Sequence, residues 1–170
     1  MRGRTLQRVF GALSLIAALA AACPAPRFTA ARTQAPAEIA VIVNKSNPLD
    51  DLPLAELREY FLAERGRWPN GGGKVRVVML EQGAPAREAA LRLIYDMNEK
   101  AYVSYFLGKK FRGETLEEPR QQASAADVIK FVSFVPGAIG YVRPEEVDAS
   151  VKVLRVDGLA PGDPGYKLKL

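Results

Sequence analysis

Residues 38–43 (EIAVIV) and 75–80 (VRVVML) are short apolar blocks rich in β-branched side chains, the pattern of buried strands. Asn44, Lys45, Ser46, Asn47 and Pro48 end the first block in a turn. Pro53 can open a helix whose core face carries Leu54, Leu57 and Phe61 at spacings of three and four. Trp68-Pro69-Asn70 and the glycines 71–73 break the chain before the second strand. After that strand, Ala86, Ala90, Leu93, Ile94 and Met97 mark a second helix. Tyr102, Tyr105 and Phe106 mark a third, starting at Asn98 or Glu99 and ended by Gly108. Residues 109–123 are polar, contain Gly113 and Pro119, and read as an irregular connection. Ser124 with Asp127 resembles a helix-start capping pair, followed by an apolar stripe of Val128, Phe131, Val132 and Val135. Pro136-Gly137 stops that helix, and residues 138–142 and 151–156 read as further strands. The alternation predicts an α/β fold: a mostly parallel sheet with helices on both faces.

Composition narrows the chemistry. The chain has 170 residues with no His and one Cys, which removes Ser-His-Asp and Cys-His catalysis, His-ligated metals, internal disulfides and all-Cys zinc sites. The net charge of +5 comes from the N-terminus: Arg2, Arg4, Arg8, Arg27 and Arg32 precede residue 38 with no acid among them, and the remaining 19 basic residues balance 19 acidic ones. A neutral body carries no electrostatic footprint for nucleic acid.

Arg2, Arg4 and Arg8 stand before an uncharged apolar run at residues 9–22, the order of a secretory signal. The run is short for a membrane span. Two processing sites compete: Ala20-Ala21-Ala22-Cys23 looks like a bacterial lipobox that would lipidate Cys23, and Ala35-Pro36-Ala37 fits small-x-small cleavage. Residues 1–37 are thus expected to be signal and Ala/Pro-rich tether, and residues 38–170 the folded lobe. Export places that lobe in the periplasm or cell envelope, with Cys23 as its one route to a membrane anchor.

The best candidate site is Glu81-Gln82-Gly83-Ala84-Pro85-Ala86-Arg87, which leaves a strand and enters a helix. Ligands of open α/β sheets bind at that end of the strands, and helix N-termini attract anions. Gly83 would let the backbone approach, the amides of Ala84, Ala86 and Arg87 could donate, and Arg87 could add charge. The bland reading is a Pro85 helix start with Arg87 as a solvated first-turn residue. Gly71-Gly72-Gly73-Lys74 lacks the Ser/Thr and glycine spacing of a nucleotide loop. Lys109, Lys110 and Arg112 around Phe111 read as a solvated edge with one buried ring. No nucleophile-base pair, metal cluster or cofactor motif is present, so no enzyme and no cofactor is expected.

Several segments resemble the phosphate-binding subunits of phosphate ABC importers. They are Val41-Ile42-Val43-Asn44-Lys45-Ser46-Asn47-Pro48, Leu52-Pro53-Leu54-Ala55-Glu56-Leu57 with Tyr60-Phe61-Leu62, Trp68-Pro69, and Pro136-Gly137-Ala138-Ile139-Gly140-Tyr141-Val142. Gly83-Ala84-Pro85-Ala86-Arg87-Glu88 and Phe111-Arg112-Gly113 are similar to segments of short, exported, stand-alone members of that superfamily. The resemblance implies a single lobe of the type 2 periplasmic-binding-protein fold. It also implies inorganic phosphate or another small oxyanion as ligand, held at Gly83, Ala84, Ala86 and Arg87 with Ser46 and Asn47 as neighbours, and a membrane permease or envelope protein as partner. Full-length phosphate binders carry Arg and then Ser-Gly-Thr across the turn, where this chain has Leu80, Ala84, Pro85 and Ala86. The expected function is therefore non-enzymatic solute binding with a weak oxyanion site. The alternative is a periplasmic interaction or sensory lobe that has lost its ligand.

Overall fold

A computed structural model describes residues 38–71, 73–114 and 118–170. The export signal, both processing sites and Cys23 lie outside the described residues.

The apolar blocks form the strands they predict. β1 (Ala40–Val43) is fully buried along its length, and β3 (Arg76–Leu80) is buried from Val78 to Leu80. With β4 (Arg120–Gln122), β5 (Ala138–Val142) and β6 (Lys152–Val153) they make one sheet in the order β4-β3-β5-β1-β6. β3 pairs in parallel with β4 and β5, while β1 runs antiparallel to β5 and β6. Four of the five strands thus point the same way, and β1 alone is reversed. A second, two-stranded sheet pairs β2 (Asp51–Leu52) in parallel with β7 (Arg155–Val156). Leu154, fully buried, separates β6 from β7, so the stretch 151–156 is two short strands serving two sheets instead of one.

Helices cover both faces. Val78 and Met79 are neighbours on β3 and so face opposite ways. On one face Val78 meets α4 (Ala125–Phe134), where Gly140 of β5 brings backbone, Val78 and Val128 so close that a Cβ there would lie 2.7 Å from Val78 Cγ1. On the other face Met79 Sδ accepts from the Tyr102 hydroxyl of α3 (Glu99–Phe111) at 3.0 Å. The same layer contains α1 (Leu54–Phe61), whose Leu57, Tyr60 and Phe61 are buried, and α2 (Pro85–Ala90). Helix α2 widens into a π-helical turn over Leu91–Tyr95 and ends at Asp96, which adopts a left-handed φ of 54°. Ser124 caps α4 as the sequence predicts: its Oγ accepts from the Asp127 amide at 3.2 Å. Asn98 caps α3 in the same way through Ala101.

Two local expectations fail. Helix α3 runs past Gly108 to Phe111, and the "irregular" stretch 109–123 contains the edge strand β4. The basic-aromatic cluster is also inverted, because Phe111 is 82% exposed while Lys109 is buried. Lys109 Nζ donates to the Leu62 carbonyl at 3.0 Å and lies 5.1 Å from the Tyr105 ring centroid, so a buried polar end finds partners and the ring is left in water.

Among the described residues, no helix is long and apolar enough to cross a membrane.

Candidate functional site

The carboxyl ends of β3, β4 and β5 lie together. Leu80 is the partner of Gln122, and the Glu81 amide donates to the Gln122 carbonyl at 2.9 Å. On the other side Val77 is level with Ile139, which carries Leu80 to the level of Val142. Three connections therefore meet at one edge: the turn around Gly83, the Ala123-Ser124 entry to α4, and Arg143 with the turn Pro144–Glu146. Gly83 has φ 91°, a left-handed conformation that glycine adopts without strain, and Pro85 opens α2 with its fixed φ.

Arg87 behaves unlike a solvated first-turn residue. It is only 2% exposed, and its guanidinium is fully engaged across three elements. Nη1 donates to the Leu80 carbonyl at the end of β3 at 2.7 Å, and Nε and Nη2 donate to the two oxygens of Glu99 at 2.9 and 2.7 Å. The same group lies 5.2 Å from the centroid of the Tyr102 ring. Burial opposes its charge, but the hydrogen bond and charge of Glu99 outweigh that, leaving its pKa above the ordinary arginine value. Burial pushes the nearby Tyr95, Tyr102 and Tyr141 hydroxyls well above the usual phenol range. Arg87 therefore works as a post that fixes the turn, and its side chain is not presented to solute.

The amides are divided. The Arg87 amide donates to the Ala84 carbonyl at 2.9 Å inside the first helical turn, which corrects its reading as a donor to ligand, and the Ala84 amide makes a long 3.4 Å contact to the Glu81 carbonyl. Gly83 is exposed, Ala84 half-buried and Ala86 buried. Ala86 sits at the second helical position, where a helix supplies its N–H with no acceptor of its own.

Ser46 and Asn47 do not join this group. They follow β1, the reversed strand, so they emerge at the opposite edge of the sheet, where the Asn44 amide reaches the Ala138 carbonyl at the start of β5. Apart from the buried Asn47 Nδ2, which has no partner among the described residues, their polar atoms serve the loop there. Asn44 Oδ1 accepts from the Ser46 amide and hydroxyl at 2.9 and 2.7 Å, and Asn47 Oδ1 accepts from the Leu49 amide at 2.9 Å. Asn44 Nδ2 donates to the Val132 and Ser133 carbonyls, tying the loop to the end of α4. The direction of β1 is what removes both residues from the Gly83 edge.

In their place the fold brings Ser124 to the neighbouring strand end. Its Oγ caps α4 and also donates to Asp127 Oδ2 at 2.6 Å. The residue was legible as a cap but not as a neighbour of Gly83, because β4 was not legible as a strand. Arg143, beyond β5, is held by Glu145 and Glu146 at 3.2 and 2.8 Å. The two arginines of this edge are thus neutralised by carboxylates and the Ser124 hydroxyl proton is given to Asp127, so what the edge offers a solute is peptide N–H groups beside the exposed Glu81. Among the described residues no cluster of His, Cys, Asp or Glu could hold a metal ion.

No protein-family model matches the sequence. Solved structures do match. A Clostridium perfringens protein assigned as a phosphate ABC transporter substrate-binding protein, with bound phosphate, is 25% identical over 74% of this chain and 47% of its own, with a TM-score of 0.59. An ABC-type phosphate transport receptor from Vibrio cholerae is 20% identical over 79% of this chain and 54% of its own, with a TM-score of 0.62. PstS from Borrelia burgdorferi is 14% identical over 79% and 55%, with a TM-score of 0.60. The chain has the α/β fold of phosphate-type substrate-binding proteins and spans about half the length of these structures.

Proposed function

We propose that this chain is an exported, non-enzymatic solute-binding protein of the phosphate-uptake type, a single lobe that holds a small oxyanion at the turn through Gly83, Ala84 and Ala86. The reading is carried by one observation: a glycine-opened strand-to-helix turn stands at the carboxyl edge of a fold shared with a protein that has phosphate bound. Peptide N–H groups at such an edge favour negative charge. Arg87 enters this function as the post that sets the turn. Ser46 and Asn47 have no part in it.

The ligand contacts expected here are neutral donors on an open wall, which sets a weak affinity. A Kd of about 0.1–1 mM corresponds to roughly 4–5.5 kcal/mol of binding free energy, a reasonable yield from a few amide hydrogen bonds without a countercharge. Calorimetric titration with phosphate and with sulfate tests it. Saturable heat in that range with phosphate is the expected result, and no heat with either anion at about ten times that concentration removes the reading.

A further inference from the structure

At the opposite, amino-terminal edge of the sheet a cleft of about 530 Å³ opens beside the start of β3, lined by Tyr60, Arg65, Arg76, Val77, Arg120 and Phe131 among others. Its size falls in the range of small-molecule sites. It exists because β4 begins late: Arg120 is the partner of Val78, so on the β4 side of Val77 the described residues place no strand. The Arg76 amide is directed to the Gly137 carbonyl on the β5 side. The pleat therefore turns the Val77 amide toward the cleft.

The charges of this cleft are unevenly satisfied. Its described acids are occupied: Glu64 accepts from the Tyr105 hydroxyl, Glu114 pairs with Arg112, and Glu118 pairs with Lys110. Arg65 pairs with Glu56 and Glu59. Arg76 and Arg120, by contrast, are exposed and have no carboxylate partner among the described residues. They stand two residues apart in register on adjacent parallel strands, hence on one face and within reach of a single bridging anion. Arg120 already lies 5.1 Å from the centroid of the Phe131 ring, so one wall is aromatic and cationic together. Tyr60, on the α1 side of the cleft, is fully buried with Arg65 over its ring, 5.5 Å from the centroid.

We propose that this cleft is a second ligand site, for a small organic anion with an apolar body, such as an aromatic carboxylate. The carboxylate bridges Arg76 and Arg120, and the body rests on Phe131, on the same face of the sheet. The site is independent of the oxyanion turn, which lies at the other end of the same strands.

Benzoate, titrated into the ¹⁵N-labelled full chain and followed by amide chemical shifts, separates the two sites. The expected result is saturable shifts at Arg76, Val77 and Arg120 with Gly83 unmoved, whereas inorganic phosphate alone leaves the cleft amides unmoved. Replacing both exposed arginines (Arg76→Gln with Arg120→Gln) raises the benzoate Kd about 10-fold or more, as loss of a charge-assisted bidentate contact requires. Absence of saturable shifts in the cleft, or an unchanged Kd in the spectroscopically folded double-arginine variant, overturns the proposal. Neither result bears on the phosphate reading, which stands or falls on the Gly83 amides.

Discussion

Removing the charge pair between Arg87 and Glu99 should weaken the fold in a strongly coupled way. Arg87 is buried, Glu99 keeps 29% of its side chain exposed, and two charge-assisted hydrogen bonds of 2.7 and 2.9 Å join them. Stripping one partner from a fully buried pair costs about 3–5 kcal/mol. Water can reach the Glu99 side, so about 2–3 kcal/mol is expected for Glu99→Ala, which strands a guanidinium with only the Leu80 carbonyl and the Tyr102 face. Arg87→Met keeps the stem but leaves the Leu80 carbonyl and Glu99 without their donor, and a similar loss follows. The double variant removes both charges at once, so its cost falls short of the two single costs combined by about 2 kcal/mol, roughly a 30-fold factor in the folding equilibrium. Urea denaturation followed by tryptophan fluorescence measures this, since Trp68 is the sole tryptophan, is 4% exposed and stacks on Tyr60 at 4.7 Å. Costs that add to within about 0.5 kcal/mol would refute the description of Arg87 as a post held by Glu99.

Other consequences are equally open to measurement. Gly140→Ala should cost about 1–3 kcal/mol in the same assay, because the new Cβ meets Val78 Cγ1 at 2.7 Å and the Val78 carbonyl at 3.1 Å between two central strands. Ala84→Asp should stabilise the protein by about 0.5–1 kcal/mol, since Ala84 has the extended geometry of a helix N-cap and carries no capping side chain. The new carboxylate occupies the same amides, so the variant should give no phosphate heat on titration. With no histidine in the chain, stability should be nearly flat from about pH 6 to 9. It should then fall in alkali, because burial raises the phenols of Tyr95, Tyr102, Tyr141 and Tyr166 above their unfolded value of 10.0. A folded pKa above the unfolded one gives stability that is complete below pH 10 and lost as the pH climbs toward the folded value. Absorbance at 295 nm should report those tyrosinates appearing together with unfolding, and their ionisation near pH 10 in a still-folded protein would contradict the burial.

The elements that pack most apolar surface were the most legible. β1, β3, β5, α1 and α4 announce themselves through block or stripe patterns because each buries several large side chains. β4 did not, since Arg120, Gln121 and Gln122 are held at the sheet edge by backbone pairing with Val78, Met79 and Leu80 and bury little of their own. Strand direction was equally silent. Nothing in AVIV says that β1 runs against its neighbours, yet that reversal alone separates Ser46 and Asn47 from Gly83. The turn around Gly83 was visible through its glycine and proline. The fate of Arg87 was not, because its partner Glu99 stands twelve residues away, beyond a π-helical turn that no short-range pattern encodes.

The reversed strand also constrains when the protein can fold. β1 lies between β5 and β6, and the Ile39 amide donates to the carbonyl of Leu168, about 130 residues further along the chain. The ribosome makes this strand first among the sheet's members and every one of its partners last. A nascent chain thus cannot complete this sheet until residues 138–153 have been made, and a wholly buried apolar segment waits without its strand partners while β3, β4 and the helices between them are synthesised.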